Sequence, residues 1–121
     1  LKCGVVKDKV WGRTTLIFRT ANVEVHYLEI KAGGYCSKHR HVKGKSNLFH
    51  IISGRLVVRV WDATGEKLID STVLDPGQIT VVAPLLWHQF EAVKPTRCYE
   101  IYETRVDPGD IERVSEGGIR R

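Results

Sequence analysis

The residues best suited to chemistry are His39 and His41, which lie in the stretch GGYCSKHRHVKGKSNLFHIISG that begins at Gly33 and ends at Gly54. Histidines at i and i+2 share one face of a β-strand, because successive strand side chains point to opposite sides. The pair is therefore a ready source of two metal ligands. A third histidine, His88, lies in QITVVAPLLWHQF, a strand-like run that begins after the Asp75-Pro76-Gly77 turn. Three neutral imidazoles meeting on one cation suit zinc, iron, nickel or copper, at nitrogen-to-metal distances of about 2.0–2.2 Å. To build such a centre the fold must bring two distant strands together.

The elements that would do so are almost all β. Residues 14–19 (TTLIFR) and Val23–Ile30 (VEVHYLEI) are rich in β-branched and aromatic residues and are joined by Thr20-Ala21-Asn22, which predicts a hairpin. Gly33-Gly34 breaks the pattern before the histidine strand, residues 42–47 read as a polar loop, and residues 48–53 are the next strand. Gly54 permits a tight turn into residues 56–61, where apolar Leu56, Val58 and Val60 alternate with Arg55, Val57 and Arg59. Asp62-Ala63-Thr64-Gly65 reads as a hairpin loop from which Leu68–Leu74 returns. Ile79–Val82, residues 87–93 and residues 97–105 supply three more strands, divided at Pro84 and at Lys94-Pro95-Thr96. Many short strands with closely spaced turn signals predict a sandwich or barrel. Only residues 108–115 (PGDIERVS) read as helical, with Pro108 near the start and Gly117-Gly118 as the stop.

Composition bounds the function. A chain of 121 residues fits one domain, residues 1–121, with one packed core. Charged residues at 27% and hydrophobic ones at 42% are ordinary globular values, which argues against disorder. The apolar runs are strand-sized, short of the roughly 20 residues a membrane helix needs. Lys2, Lys7, Asp8 and Lys9 interrupt any apolar leader segment. Cys3, Cys36 and Cys98 are an odd set without paired spacing, which points to reduced thiols and a cytoplasmic setting. The net charge of +5 favours small anionic ligands. The basic residues are scattered on alternating faces without interleaved aromatics, which argues against nucleic acid as a partner.

The spacing Gly33, five residues, His39, one residue, His41, an apolar strand and Gly54 resembles the first motif of the cupin superfamily. Pro76-Gly77, five residues and then Ala83-Pro84-Leu85-Leu86-Trp87-His88 resembles the second, with Ala83 where the family usually has proline and Leu85 where it has glycine. The resemblance implies a double-stranded β-helix, a jelly-roll-like barrel, here with a short C-terminal helix. It also implies a divalent metal ion (iron, zinc, manganese or nickel) held by His39, His41 and His88. The family's glutamate ligand would fall on Asn47 counted back from Gly54, or on Lys45 or Ser46 counted forward from His41, and no acid lies in residues 42–49. Asn47 is therefore the candidate for a fourth position.

Parity sorts the neighbours. Lys38 and Arg40 alternate with the histidines and should point away from the metal, leaving Lys43 and Lys45 to lean over a pocket mouth. Cys36 has the opposite parity to the two ligands and reads as an apolar filler. His50 faces away from Asn47, toward a second sheet or a subunit interface, unless it replaces the missing ligand. The facing of His26 is open. Tyr27, Tyr99, Tyr102 and Phe49 are candidates for the pocket lining or for plain core.

Trp11-Gly12, the strand VEVHYLEIKAG and the Ser53-Gly54 that closes the first motif are similar to the small cupins grouped with type II mannose-6-phosphate isomerases. That resemblance implies a sugar-phosphate isomerase-like enzyme acting on a small anionic substrate, and a homodimer. The missing glutamate also fits the three-histidine iron dioxygenases of the thiol dioxygenase type. A third reading is a non-catalytic metal- or ligand-binding cupin.

Overall fold

The computed structural model describes residues 4–41, 45–104 and 119–120. The helix expected at residues 108–115, the end of the strand expected at residues 97–105, Cys3 and Lys43 lie outside the described residues.

Seven strands follow in order: β1 (Val5–Lys9), β2 (Gly12–Arg19), β3 (Val23–Ile30), β4 (Ser46–Trp61), β5 (Leu68–Leu74), β6 (Ile79–Val82) and β7 (Trp87–Glu103). All are paired antiparallel. Among the described residues there is no helix, and none long and apolar enough to cross a membrane.

The two longest strands build the barrel. The first half of β4 pairs with β6 and with the second half of β7, whereas its second half pairs with β5 and with the first half of β7. The hydrogen-bonded sheet is thereby folded into two facing layers. One has the order β1-β2-β3-β7-β4-β6; the other has β5-β4-β7, extended by bridges from Tyr35 to Glu91 and from His39 to His88. This is the expected all-β, double-stranded β-helix.

Gly54 and Lys94-Pro95-Thr96 do not end strands, as their composition suggested. They form the corner at which β4 and β7 bend together, and the register between the two slips there at Ile51/Ser53, Ser53/Arg55 and Arg55/Leu56. Bulges of this kind bend a strand without stopping its pairing. Gly54 has φ 95°, and a Cβ on it would lie 2.4 Å from both the Pro95 carbonyl oxygen and Thr96 Oγ1. Only glycine lets the two corners approach so closely. Thr96, 1% exposed, bonds through Oγ1 to the backbone of Arg55 and Lys94 and ties the bend together.

Alternation then carries one face of each long strand inward. From β4 these are Asn47, Phe49, Ile51, Leu56, Val58 and Val60; from β7 they are His88, Phe90, Ala92, Thr96, Cys98 and Glu100. Full burial of a side chain such as Phe49 or Leu28 is worth about 1.5–3 kcal/mol each, so the barrel interior is the core. β4 starts at Ser46, which places Asn47 in a strand and not in the polar loop expected at residues 42–47. β1, whose five residues VVKDK are all exposed, carries no apolar alternation and was not foreseen as a strand.

Candidate metal centre

His39 and His88 face each other across the second layer as a hydrogen-bonded antiparallel pair: His39 N donates to the His88 carbonyl (3.1 Å) and His88 N donates to the His39 carbonyl (2.8 Å). Directly opposite residues present their side chains on the same face, and their ring centroids are 4.5 Å apart. His41 follows by the two-residue period, 5.3 Å from His39 and 5.3 Å from His88. The ligand nitrogens of the three lie within 4.8 Å of one another, a grouping that could hold a metal ion. Residues 35–41 achieve this with isolated bridges and not as the regular strand the alternation suggested.

The segment is braced from outside. Lys38 lies 4.2 Å from the centre of the Trp61 ring and donates to the Gly65 carbonyl. Arg40 lies over Trp87 at 4.9 Å and donates to the Ala63 carbonyl, which also accepts from Trp87 Nε1. Both cations therefore point away from the histidines, as their parity requires.

The tautomers are set by backbone carbonyls. His39 Nδ1 donates to the Ser37 carbonyl at 2.7 Å, and His88 Nδ1 donates to the Leu86 carbonyl at 3.0 Å. Each ring then carries its lone pair on Nε2, as metal-binding imidazoles require, and that of His88 accepts from Asn47 Nδ2, a bond that a cation would displace. His41 Nε2 is buried with no hydrogen-bond partner. An orphaned, buried imidazole nitrogen beside two oriented ones is costly for a folded chain and is what a cation would satisfy. Burial, reinforced by His39 and Lys45, lowers the His41 pKa. Burial pulls that of His88 down to about 4, against the Leu86 hydrogen bond and with help from His39 and His41. Both rings are thus neutral at physiological pH, in the state that ligates.

Leu85 explains one departure from the second motif. It has φ 68°, in the left-handed region that glycine enters freely and that costs other residues about 1–2 kcal/mol. The turn ending in Leu86, whose carbonyl orients His88, retains the conformation that the motif's glycine would adopt without strain.

The fourth position is not a simple ligand. Asn47 Nδ2 donates to His88 Nε2 (3.1 Å) and to Glu100 Oε2 (3.2 Å), while Asn47 Oδ1 is buried without a partner. Glu100, 7% exposed, is the carboxylate that sequence reasoning missed. It is supplied by β7 and not by the first motif. Burial raises its pKa, opposed by Asn47 and Tyr102. The signal was available: counting in twos from His88 along β7 reaches Phe90 and Ala92, then Lys94 at the exposed corner, then Thr96, Cys98 and Glu100, provided the count continues past Pro95.

A cavity of about 740 Å³ opens beside the cluster. His39, His26, Glu100, Tyr102 and Thr14 give it a polar side, and Trp11, Leu28 and Phe90 an apolar one, with Lys9 and Lys31 also in the lining. His26 faces inward, bonded to Thr14 Oγ1 (3.2 Å) and Glu24 Oε1 (2.7 Å), but is outside the three-histidine group. Tyr102 packs edge-on against His41 (4.9 Å) and His26 (5.6 Å); burial, then Glu100, raises its pKa. Of the four aromatic residues considered for the lining, Tyr102 alone is in it. Phe49 is core, and Tyr27 and Tyr99 pack together, 5.7 Å apart, on the outer face.

Cys36 lines the cavity with its sulfur accepting from Phe90 N at 3.2 Å, and burial pushes its thiol up to about 12. It acts as a buried filler and is not in the histidine group. His50 lies on the β4 face opposite Asn47 and is likewise outside the group. Lys45 stands 5.9 Å from the Tyr102 ring but is not in the lining of the cavity whose mouth it was expected to overhang.

A two-layer β-helix with three histidines gathered from a short bridged segment and a long strand has the cupin fold. The chain belongs to the TehB-like domain family, which matches residues 33–99 and so spans both motifs. Similar solved structures carry the same fold. KdgF from Halomonas sp. aligns at TM-score 0.70 and 16% identity over 85% of this chain and 88% of that one. An RmlC-like cupin from Shewanella frigidimarina aligns at 0.67 and 14%, over 84% and 85%. The Cnp3 cupin domain of Schizosaccharomyces pombe aligns at 0.66 and 14%, over 77% and 64%. No curated protein matches the chain in sequence.

Proposed function

We propose that this chain is a metal-dependent cupin in which His39, His41 and His88 hold one divalent cation, of iron, zinc, manganese or nickel, beside a cavity for a small anionic substrate. The observation that carries the reading is the trio of imidazoles, two held by backbone carbonyls through Nδ1 and one with Nε2 buried and unpartnered. A cation bound there would supply a Lewis acid with positions left open for substrate.

The chain's own groups give the cavity its further chemistry. Glu100, held through Oε2 by Asn47, is placed to exchange a proton with a substrate. Lys9 and Lys31 in the lining favour an anionic group. Trp11 and Phe90, packed edge to face at 5.1 Å, close one side against water. A buried carboxyl beside a candidate Lewis-acid site supports an isomerase-like enzyme on a sugar-phosphate type of substrate. Among the described residues the histidine cluster groups three imidazoles and no carboxylate, which supports the second reading, a three-histidine iron dioxygenase. Cys36 and Cys98, both free and buried, support a reducing, cytoplasmic setting.

The test is metal analysis of chain purified without a histidine tag, followed by turnover assays. Zinc or manganese with sugar-phosphate interconversion supports the isomerase; iron with oxygen uptake on a small thiol acid supports the dioxygenase. Metal with neither activity leaves a binding module. A chain that takes up no cation at stoichiometric supply refutes the metal reading.

A further inference from the structure

The cavity wall built from β2, β3 and β7 carries a second constellation, outside the three-histidine group. His26 is its centre. Its Nε2 lies 2.7 Å from Glu24 Oε1 and its Nδ1 lies 3.2 Å from Thr14 Oγ1. Arg19 in turn donates to both Glu24 oxygens, from Nη2 to Oε1 at 3.2 Å and from Nε to Oε2 at 3.3 Å. This paired contact holds the Glu24 carboxyl below the usual carboxylate range, against its partial burial and with help from His26. An ionised carboxylate only accepts, so His26 Nε2 carries the hydrogen between them. The nitrogen left to exchange a proton is Nδ1, beside Thr14 in the cavity lining.

Neighbouring strands complete the surroundings. From β2 His26 meets Leu16 in register and Thr14, and from β7 it meets Glu100 in register and the edge of Tyr102 at 5.6 Å. Two carboxyls therefore flank His26 with opposite tendencies. Burial favours the protonated form of Glu100, whereas Arg19 favours the charged form of Glu24. Carboxyls pushed apart by their surroundings divide the work of acid and of charge holder. An imidazole oriented by a third group is the general signature of a proton-transfer centre. The Thr14 contact at 3.2 Å is long for a hydroxyl hydrogen bond, and a substrate entering the cavity can take its place.

We propose that His26 is a catalytic base of this cavity, and that Glu24, braced by Arg19, is its positioning residue. The assignment rests on the reading that the cavity admits a small carbonyl-bearing anion. In the step, the C–H bond next to the carbonyl breaks, its proton passes to His26 Nδ1, and its electron pair moves into the carbonyl system as an enolate. Glu24 accepts from Nε2 and balances the imidazolium that forms. Return of the proton to the adjacent carbon, with Glu100 passing the hydroxyl proton from one oxygen to the other, gives the isomer and restores His26.

A carbon acid unrelated to any natural substrate tests the proposal on the full chain, as purified and again after chelator treatment. A nitrobenzisoxazole, a flat aromatic suited to the Trp11 and Phe90 side of the cavity, opens when a base removes its ring C–H proton. The N–O bond breaks and a cyanophenolate is released, with no co-reactant. Wild-type kcat/KM should exceed the rate constant of free imidazole and survive the chelator. It should fall about tenfold or more in His26→Gln, and stay at the wild-type value in His50→Gln on the outer face. Glu24, with its side chain 22% exposed, can be cut back without disturbing the core, and Glu24→Ala should lose a comparable factor. Ring-nitrogen spectra at about pH 8, above the ordinary imidazole range, should show one His26 tautomer with hydrogen on Nε2 in the wild type and a mixture in Glu24→Ala. Circular dichroism checks that each variant keeps the fold. Wild-type turnover no faster than free imidazole would overturn the proposal. So would a folded His26→Gln chain that keeps the rate, or a folded Glu24→Ala chain that keeps both the rate and the single tautomer. Probe turnover needs no cation, so metal uptake by the wild type decides the metal reading separately.

Discussion

His88 offers a quantitative test of how the interior holds its histidines. The side chain is 2% exposed and its pKa falls from 6.5 to about 4, burial being the main cause. The folded chain therefore binds this proton more weakly than the unfolded chain, and between the two values stability rises with pH. A gap of about 2.5 units corresponds to about 3 kcal/mol, fully present above the unfolded value and lost as pH falls through the folded one. Glu100 works in the opposite sense. Its raised pKa gives a contribution present below the ordinary carboxyl range and lost as pH rises through the folded value, so the wild-type profile alone mixes the two. Comparison with His88→Gln separates them. Urea unfolding of chelator-treated protein between about pH 7 and pH 4 should show the wild type losing about 3 kcal/mol more than the variant. Parallel pH profiles for the two proteins would refute the reasoning.

Gly54→Ala forces a Cβ into the Pro95 carbonyl and Thr96 Oγ1 at 2.4 Å, and should cost about 3 kcal/mol or more in urea unfolding. Leu85→Gly relieves a left-handed φ at a residue 47% exposed and should raise stability by about 0.5 kcal/mol, the strain relief outweighing the added unfolded-state entropy. Asn47→Glu brings a second carboxyl to the one already 3.2 Å from Asn47, and two such groups do not both ionise. By calorimetric titration it should therefore tighten metal binding in a Glu100→Gln background, by about tenfold or more, and by less in the wild-type background.

The spacing of His39, His41 and His88 carried the cluster, because a two-residue period has only one consequence for facing once the backbone is extended. The same period explains the outward turn of Lys38 and Arg40. What hid Glu100 was Pro95. Read as a breaker it cut β7 in two and lost the count, whereas in the barrel it sits at a corner whose pairing shifts but continues. Gly54 misled in the same way, since its conformational freedom serves close approach to Pro95 and Thr96 and not chain reversal. Local composition reports where the backbone can bend, and only the packing of the two bends on each other decides whether the strand ends. The charge pattern of VVKDK could not announce β1, which is held by pairing with β2 and buries no side chain.

The central claim is that three imidazoles form one metal site. Titration of chelator-stripped, untagged chain with zinc, manganese, nickel and ferrous iron, the last without oxygen, tests it most directly. The account predicts one cation per chain in the wild type for at least one of these metals, and loss of most binding with the fold retained in His39→Ala, His41→Ala and His88→Ala. Full occupancy in the folded alanine variants, or none in the wild type, would contradict it.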